Sequence, residues 1–240
     1  MALFLAQKFL NFLLPPVCPF CRTLVSENKT VCGPCWSQIH FISTPYCPQC
    51  AKPFEFGSGT NDLKCGKCLS KAPAFTATRA VFKYDDFSRK LILSFKHHNA
   101  IHMGPLLAQW MYTHSQDVLR DADFLIPVPL HWTRLLKRGY NQAAILSKEI
   151  SKLSKVPTKL KVLERSRRTP TQGSLTPKQR QDNVRGAFHV PASARPKIQG
   201  KTLVLIDDVI TTGATLDACA KTLIKAGAKE IRVISAARVV

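Results

Sequence analysis

The residues best suited to chemistry stand together near the C-terminus: Asp207-Asp208-Val209-Ile210-Thr211-Thr212-Gly213-Ala214-Thr215. A continuous apolar run, 202–207, leads straight into them, and a helix-like pattern follows. Two adjacent carboxylates at a strand end can accept hydrogen bonds from vicinal hydroxyls, as on a ribose. A Thr/Gly turn that opens a helix offers backbone N–H groups and hydroxyls to a phosphate. A ribose 5-phosphate satisfies both halves at once. The plain alternative is an acidic strand end with an ordinary helix N-cap. The stretch is neither a Gly-x-Gly-x-x-Gly dinucleotide loop nor a Gly-Lys-Ser/Thr phosphate loop.

A second set of reactive side chains lies at the other end. Eight of the nine cysteines form Cys-x-x-Cys pairs: Cys18/Cys21, Cys32/Cys35, Cys47/Cys50 and Cys65/Cys68. Each pair points two thiolates at one ion, and two pairs complete a tetrahedral zinc site. Four pairs therefore supply ligands for one or two closed structural zinc ions. Sequential pairing is the simplest arrangement, with a crossed arrangement and a single occupied site left open. A disulfide framework and a thioredoxin-like redox motif are the alternatives. Against the first, Met1–Lys8 has no basic stretch before its apolar residues and no clear cleavage site, so it reads as no signal peptide. Against the second, a redox pair usually comes singly. Pro19, Gly33, Pro34, Pro48 and Gly66 fall in or beside the pairs, as tight turns require. Thiolates in this number persist where the cell stays reducing, which points to the cytoplasm. Closed sites have no open coordination position and are assigned no catalysis. Cys219 stands alone in an apolar pattern and reads as a core residue.

The elements that must position these residues follow from periodicity and punctuation. Residues 3–14 form an apolar helix ending at Pro15-Pro16, which covers the core or the cysteine-rich segment. Attachment to a membrane surface is its minority reading, since Lys8 is its one basic residue. Strands are expected at 79–84, 124–128, 202–207 and 231–236, and helices at 86–95, 104–120, 138–155 and 214–226 with Gly227 as C-cap. The polar, basic stretch 165–188 reads as a long loop. A continuous apolar strand such as 202–207 belongs in a parallel sheet buried on both faces. In such a sheet the ligand site lies at the carboxyl ends of the strands, which is where Asp207 stands.

The stretch from Asp207 to Thr215 resembles the phosphoribosyl diphosphate (PRPP) signature of type I phosphoribosyltransferases. The likeness narrows with Phe82-Lys83-Tyr84, Leu93–His98, Pro127–His131, Arg138–Ala143 and Asn183–Phe188, following four Cys-x-x-Cys pairs. Together these resemble the ComF family, which includes competence proteins of naturally transformable bacteria and GntX-type proteins. The likeness spans roughly residues 15–240. It implies an α/β fold: a type I phosphoribosyltransferase-like parallel sheet flanked by helices over 76–240, and a double zinc ribbon over 15–72 behind the short helix 1–14. It implies that Asp207 and Asp208 are the catalytic candidates and take the ribose hydroxyls. Thr211, Thr212, Gly213, Ala214 and Thr215 would hold the 5′-phosphate. Val128, Pro129 and His131 would form the diphosphate turn, with Arg134, Lys137 and Arg138 beyond it. Arg168, Arg180 and Arg185 would be anion contacts on a flexible closing loop. Mg²⁺ would accompany PRPP. Enzymes that salvage 6-oxopurines place a carboxylate where Thr211 stands, so purine salvage is disfavoured, and no base-binding hood is recognisable.

Charge completes the picture. The chain of 240 residues holds 35 Lys+Arg against 15 Asp+Glu, a net +20. Residues 130–200 carry 16 of the basic residues and three acidic ones. That stretch is richer in cations than one small metabolite requires, which keeps nucleic acid as a second anionic partner. With 45% apolar residues the chain can bury a real core, and no apolar run reaches the ~18 residues of a membrane span. The resemblance implies a protein that handles single-stranded DNA during natural transformation, beside competence-machinery proteins, in the cytoplasm or peripherally at the inner face of the membrane. An active phosphoribosyltransferase on an unidentified acceptor, and a PRPP- or nucleotide-sensing regulator, are the other two readings. No evident general base stands out; His97, His98, His102 and His131 are candidates by residue type alone.

Overall fold

The computed structural model describes residues 15–27, 30–55, 63–97, 100–167 and 184–240. The expected helix 3–14, and Arg168, Arg180 and His98, lie outside the described residues. In chain order the described elements are α1 (Gly33–Trp36), α2 (Gly66–Ser70), β1 (Ala77–Lys83), α3 (Asp86–His97), α4 (Gly104–Thr113), α5 (Gln116–Leu119), β2 (Phe124–Pro127), α6 (Trp132–Arg138), α7 (Gln142–Ser154), β3 (Glu164–Arg165), β4 (Phe188–His189), α8 (Arg195–Ile198), β5 (Thr202–Ile210), α9 (Ala214–Lys225) and β6 (Glu230–Arg238).

The apolar run at 202 becomes β5, an inner strand of a four-stranded sheet with order β1-β6-β5-β2. Every pairing in it is parallel. Alternate residues of β5 feed two cores, as the period of two requires. Val204 and Ile206 join Phe82, Phe95, Leu107 and Leu146 on the face covered by α3, α4 and α7. Leu203 and Leu205 join Leu216, Leu223 and Val233 on the face covered by α9. Cys219 is fully buried in this second core, as expected of a small apolar side chain.

The outer edge of β1 is closed by the cysteine-rich segment. The Ile42 N–H donates to Val81 O at 2.8 Å, the Lys83 N–H to His40 O at 2.8 Å and the Thr78 N–H to Pro48 O at 2.9 Å. An uncovered edge of this kind would be a template for pairing with another chain. Further along, Phe20 stacks on Phe87 of α3 with ring centroids 4.7 Å apart.

Four expectations change in detail. The strand at 202 does not stop at Asp207: Val209 and Ile210 still pair with Ala237 and Arg238, so the acidic pair lies inside the strand and the loop begins at Thr211. The long helix from 104 breaks after Thr113, because the Ser115 N–H donates to Tyr112 O at 3.2 Å and Gln116 Nε2 donates to the same oxygen at 3.0 Å. Those contacts replace the bonds a continuing helix would make. Residues 138–141 are not a helix start. Gly139, at φ 76°, ends α6, and Asn141 caps α7 by accepting from the Ala143 N–H at 3.0 Å. Finally, the ends of the basic loop pair as the short antiparallel ladder β3–β4.

Gly104 lets α4 pack tightly on α7: a Cβ there would stand 2.7 Å from Ile145 Cγ2. Gly104→Val is expected to cost about 2 kcal/mol of stability by overpacking. A urea titration checks it; an unchanged midpoint would mean that α7 yields at this contact.

Candidate functional site

The carboxyl ends of β2 and β5 open into a cleft of about 460 Å³. Its walls come from four places. The turn after β2 supplies Val128, Pro129 and Leu130. Helix α6 and the start of α7 supply Arg134, Arg138, Asn141 and Gln142. The end of β5 and the turn beyond supply Asp207, Asp208, Thr211, Gly213 and Thr215. Tyr84, Lys96 and Arg165 close the rim.

Each wall is held by identifiable bonds. Asn141 Nδ2 donates to Val128 O at 3.0 Å, so the side chain that caps α7 also pins the turn after β2. Arg138 donates to Gln142 Oε1 at 3.1 Å, and Gln142 Nε2 donates to Lys96 O at 3.3 Å. Gly213 sits at φ 81°, a left-handed conformation that suits glycine, and caps the start of α9. Twelve residues of helix behind it direct the positive end of the helix dipole at the turn.

The electrostatics favour an anion. Four cations, Lys96, Arg134, Arg138 and Arg165, face two carboxylates. Lys96 Nζ lies 3.0 Å from Asp208 Oδ2. Burial, and then the charge of Asp208, push Asp207 up to about 7, against the pull of Lys96 and of the Asp208 N–H that donates to its Oδ1 at 2.9 Å. Burial and the neighbouring Arg134 draw Arg165 below the ordinary guanidinium range. Its guanidinium also lies over the Phe188 ring, 5.2 Å from the centroid. Lys96→Met would leave Asp208 buried without its cation. The expected cost is about 2 kcal/mol, below the range for fully buried pairs because both groups keep some solvent contact. Chemical denaturation at pH 8 measures it, and an unchanged stability would show the pair to be fully replaced by water.

Of the residues singled out from sequence, Asp207, Asp208, Thr211, Gly213, Thr215, Val128, Pro129 and Arg138 line this one cleft. Thr212 and Ala214 line a neighbouring cleft on the other side of the turn. His131 is buried as the N-cap of α6, where its Nδ1 accepts from the Thr133 N–H at 3.3 Å, and it does not line the cleft. Arg185 is exposed and borders a separate hollow with Asp217 and Lys221. Four polar liners outside the basic loop had no assigned role beforehand: Tyr84, Lys96, Asn141 and Gln142. Each stands in a block that carried the family resemblance, but a single Lys or Asn has no spacing of its own to mark it.

The eight paired cysteines gather sequentially into two clusters, Cys18–Cys21–Cys32–Cys35 and Cys47–Cys50–Cys65–Cys68, with ligand atoms in each lying within 4.8 Å of one another. In the second cluster all four are buried. Their thiols do not ionise alike. Burial and the neighbours Cys50 and Cys65 push Cys68 well above the ordinary thiol range. Cys65 is drawn down to about 7, against its own burial, by the Cys68 backbone and adjacent thiols. Four sulfur donors at this spacing suit a tetrahedral zinc ion, which would hold all four as thiolates and release protons on binding.

Two family profiles match the chain: the double zinc ribbon domain over residues 9–69 and the phosphoribosyl transferase domain over residues 135–239. The parallel sheet, its flanking helices and the cysteine-rich N-terminal segment are thus a phosphoribosyltransferase-like α/β fold with a zinc ribbon. Competence protein F of Haemophilus influenzae is 33% identical, over 97% of this chain and 99% of that protein. DNA utilization protein YhgH of Escherichia coli is 29% identical, over 92% and 96%. Competence protein ComFC of Bacillus subtilis is 26% identical, over 85% and 82%. Among the described residues, no helix is long and apolar enough to cross a membrane.

Proposed function

The chain belongs to the ComF family of competence proteins, and on that premise we propose that it handles incoming single-stranded DNA during natural transformation, with a cleft that binds PRPP. The observation that carries the second half is the meeting of Asp207, Asp208, Thr211, Gly213 and Thr215 with four cations in one cleft at the strand ends. The carboxylates accept from the ribose hydroxyls. The turn and the α9 N-terminus receive the 5′-phosphate. Arg134 and Arg138, beside the turn after β2, face the diphosphate. The cleft's own carboxylates and the ligand's oxygens suit a hard cation, so Mg²⁺ would bind with PRPP and neutralise part of its charge. The two cysteine clusters each hold a structural zinc ion.

The first half rests on charge that the cleft does not use. Lys137, Lys148, Lys152, Lys155, Arg185 and Arg195 are exposed. A strand tracking these cations would bind with a strong dependence on salt. Fluorescence anisotropy with a labelled single strand at 50 and 200 mM salt tests direct contact; no binding at the lower salt would remove it. The role and the cleft are separated by one genetic test. The gene is deleted, transformation frequency is scored, and the strain is complemented with wild type and with Asp207→Asn/Asp208→Asn. Restored transformation by wild type alone supports both halves. Equal restoration by the variant would exclude the cleft from the role. Isothermal calorimetry with PRPP and Mg²⁺ then tests the ligand itself.

A further inference from the structure

The turn that begins at Thr211 is held from behind by the second cysteine cluster. Lys67, between Cys65 and Cys68, donates from Nζ to Thr212 O at 2.7 Å. Arg238, the last residue of β6, donates from one terminal nitrogen to Thr211 O at 3.1 Å and from the other to Cys50 Sγ at 3.7 Å. Arg238 as a whole is only 6% exposed. A third strut joins the same two regions: the Ala74 N–H donates to Asp217 Oδ1 in the first turn of α9 at 2.8 Å. The neighbouring cleft, about 440 Å³ and lined by Cys50, Lys67, Cys68, Phe75, Thr212 and Arg238, is the seam between cluster and turn.

These contacts have a direction. In a trans peptide the N–H points opposite to the C=O of the same unit. Holding the carbonyls of Thr211 and Thr212 toward the cluster therefore turns the N–H groups of Thr212 and Gly213 away from it. The other side of the turn is the cleft that contains Asp207 and Asp208. A divalent ion held by four thiolates is a net anion, which suits the buried Arg238 beside Cys50.

We propose that Lys67 and Arg238 are positioning residues, through which the second cysteine cluster and its metal set the shape of the phosphate-binding turn. This rests on the reading of the cleft given above. Loss of metal from the second cluster then loosens the turn and weakens binding of a phosphorylated sugar. By linkage, a bound sugar phosphate slows loss of that metal.

The test uses the full-length, zinc-loaded protein and the variants Lys67→Met, Lys67→Arg, Arg238→Met and Lys71→Met. Lys71 lines the same seam with the same charge, and no hydrogen bond joins its side chain to the turn among the described residues. Lys67 is exposed, so its substitution leaves folding intact even where Arg238→Met does not. Zinc content is read by mass spectrometry, amide exchange over 209–214 by hydrogen–deuterium exchange, and ribose 5-phosphate affinity by calorimetry. The expected result is full zinc content in Lys67→Met, with exchange about tenfold faster and affinity about tenfold lower, the worth of one charge-assisted hydrogen bond. Lys67→Arg restores both, Arg238→Met repeats the loss, and Lys71→Met matches wild type. Unchanged exchange in Lys67→Met, or an equal effect from Lys71→Met, overturns the proposal. If wild type takes up no ribose 5-phosphate while the exchange effect is present, the reading of the cleft fails and the coupling of cluster to turn stands.

Discussion

Asp207→Asn is expected to weaken binding of ribose 5-phosphate and PRPP by about a hundredfold, the worth of one or two hydrogen bonds to a charged acceptor, and to make the protein more stable at pH 8. The two effects share a cause. Asp207 is held at about 7 rather than its ordinary 3.8 because burial and Asp208 oppose its charge. Between those values the folded protein keeps a proton that the unfolded chain has lost. Stability therefore falls as pH rises through this window and stays low above it. The displacement corresponds to at most about 4 kcal/mol, and partial access to solvent reduces this to about 2. Asparagine carries no charge at any pH and keeps an oxygen for the Asp208 N–H. The gain in melting temperature should be about 5 °C at pH 8 and shrink toward pH 4. Calorimetric melting at several pH values measures it. A variant that melts lower than wild type at pH 8 would mean that the carboxylate stabilises the fold and that its burial carries no cost. A carboxylate kept at a cost to stability is what a ligand site looks like before its ligand arrives.

Cys68→Ser is expected to have the largest effect on stability. The second cluster is a core made almost wholly of its own cysteines, with Phe54 packed against them, so little apolar burial remains once the metal goes. Structural zinc contributes about 10–16 kcal/mol in small isolated ribbons. Here the hydrogen bonds that the Thr78 N–H and hydroxyl donate to the carbonyls of Pro48 and Gln49 keep part of the segment in place. A loss of about 5 kcal/mol, with a fall of about 10 °C or more in melting temperature, is the expected outcome. Zinc per chain should drop from two to one. Cys21→Ser in the first cluster removes an exposed ligand and should cost less. A chelator should act more readily at low pH, since protons compete with the metal for the thiolates. Unaltered zinc content in Cys68→Ser would refute the assignment of this cysteine as a ligand.

Much of this protein is written locally. The Cys-x-x-Cys spacing carries its own chemistry, because two thiolates on one tight turn already face one ion. The run from Thr202 to Ile206 needs no partner to be read as a doubly covered strand. Asp207 and Asp208, followed by a Thr/Gly turn and a helix, are of a kind that suits a ribose and a phosphate from adjacent positions. Helix ends were less legible, because side chains decide them: the Gln116 amide takes the Tyr112 carbonyl and stops α4 where periodicity alone would carry it on.

What the chain could not declare in one dimension is what comes together from far apart. Lys96 reaches Asp208 across 112 positions, and Asn141 ties the turn after β2 to the start of α7. His131 and Arg138 stand in neighbouring blocks, yet packing buries the first as a cap and turns the second into the cleft. Lys67 and Arg238 look like an ordinary surface lysine and a strand end until the sheet places both against Thr211 and Thr212. The sequence by itself determined the four cysteine pairs, the acidic pair and the sheet class, because each depends on residue type at short spacing. Tertiary structure alone decided which cations serve the carboxylates and which cluster braces the turn, because burial and hydrogen-bond direction exist only once distant segments share one core.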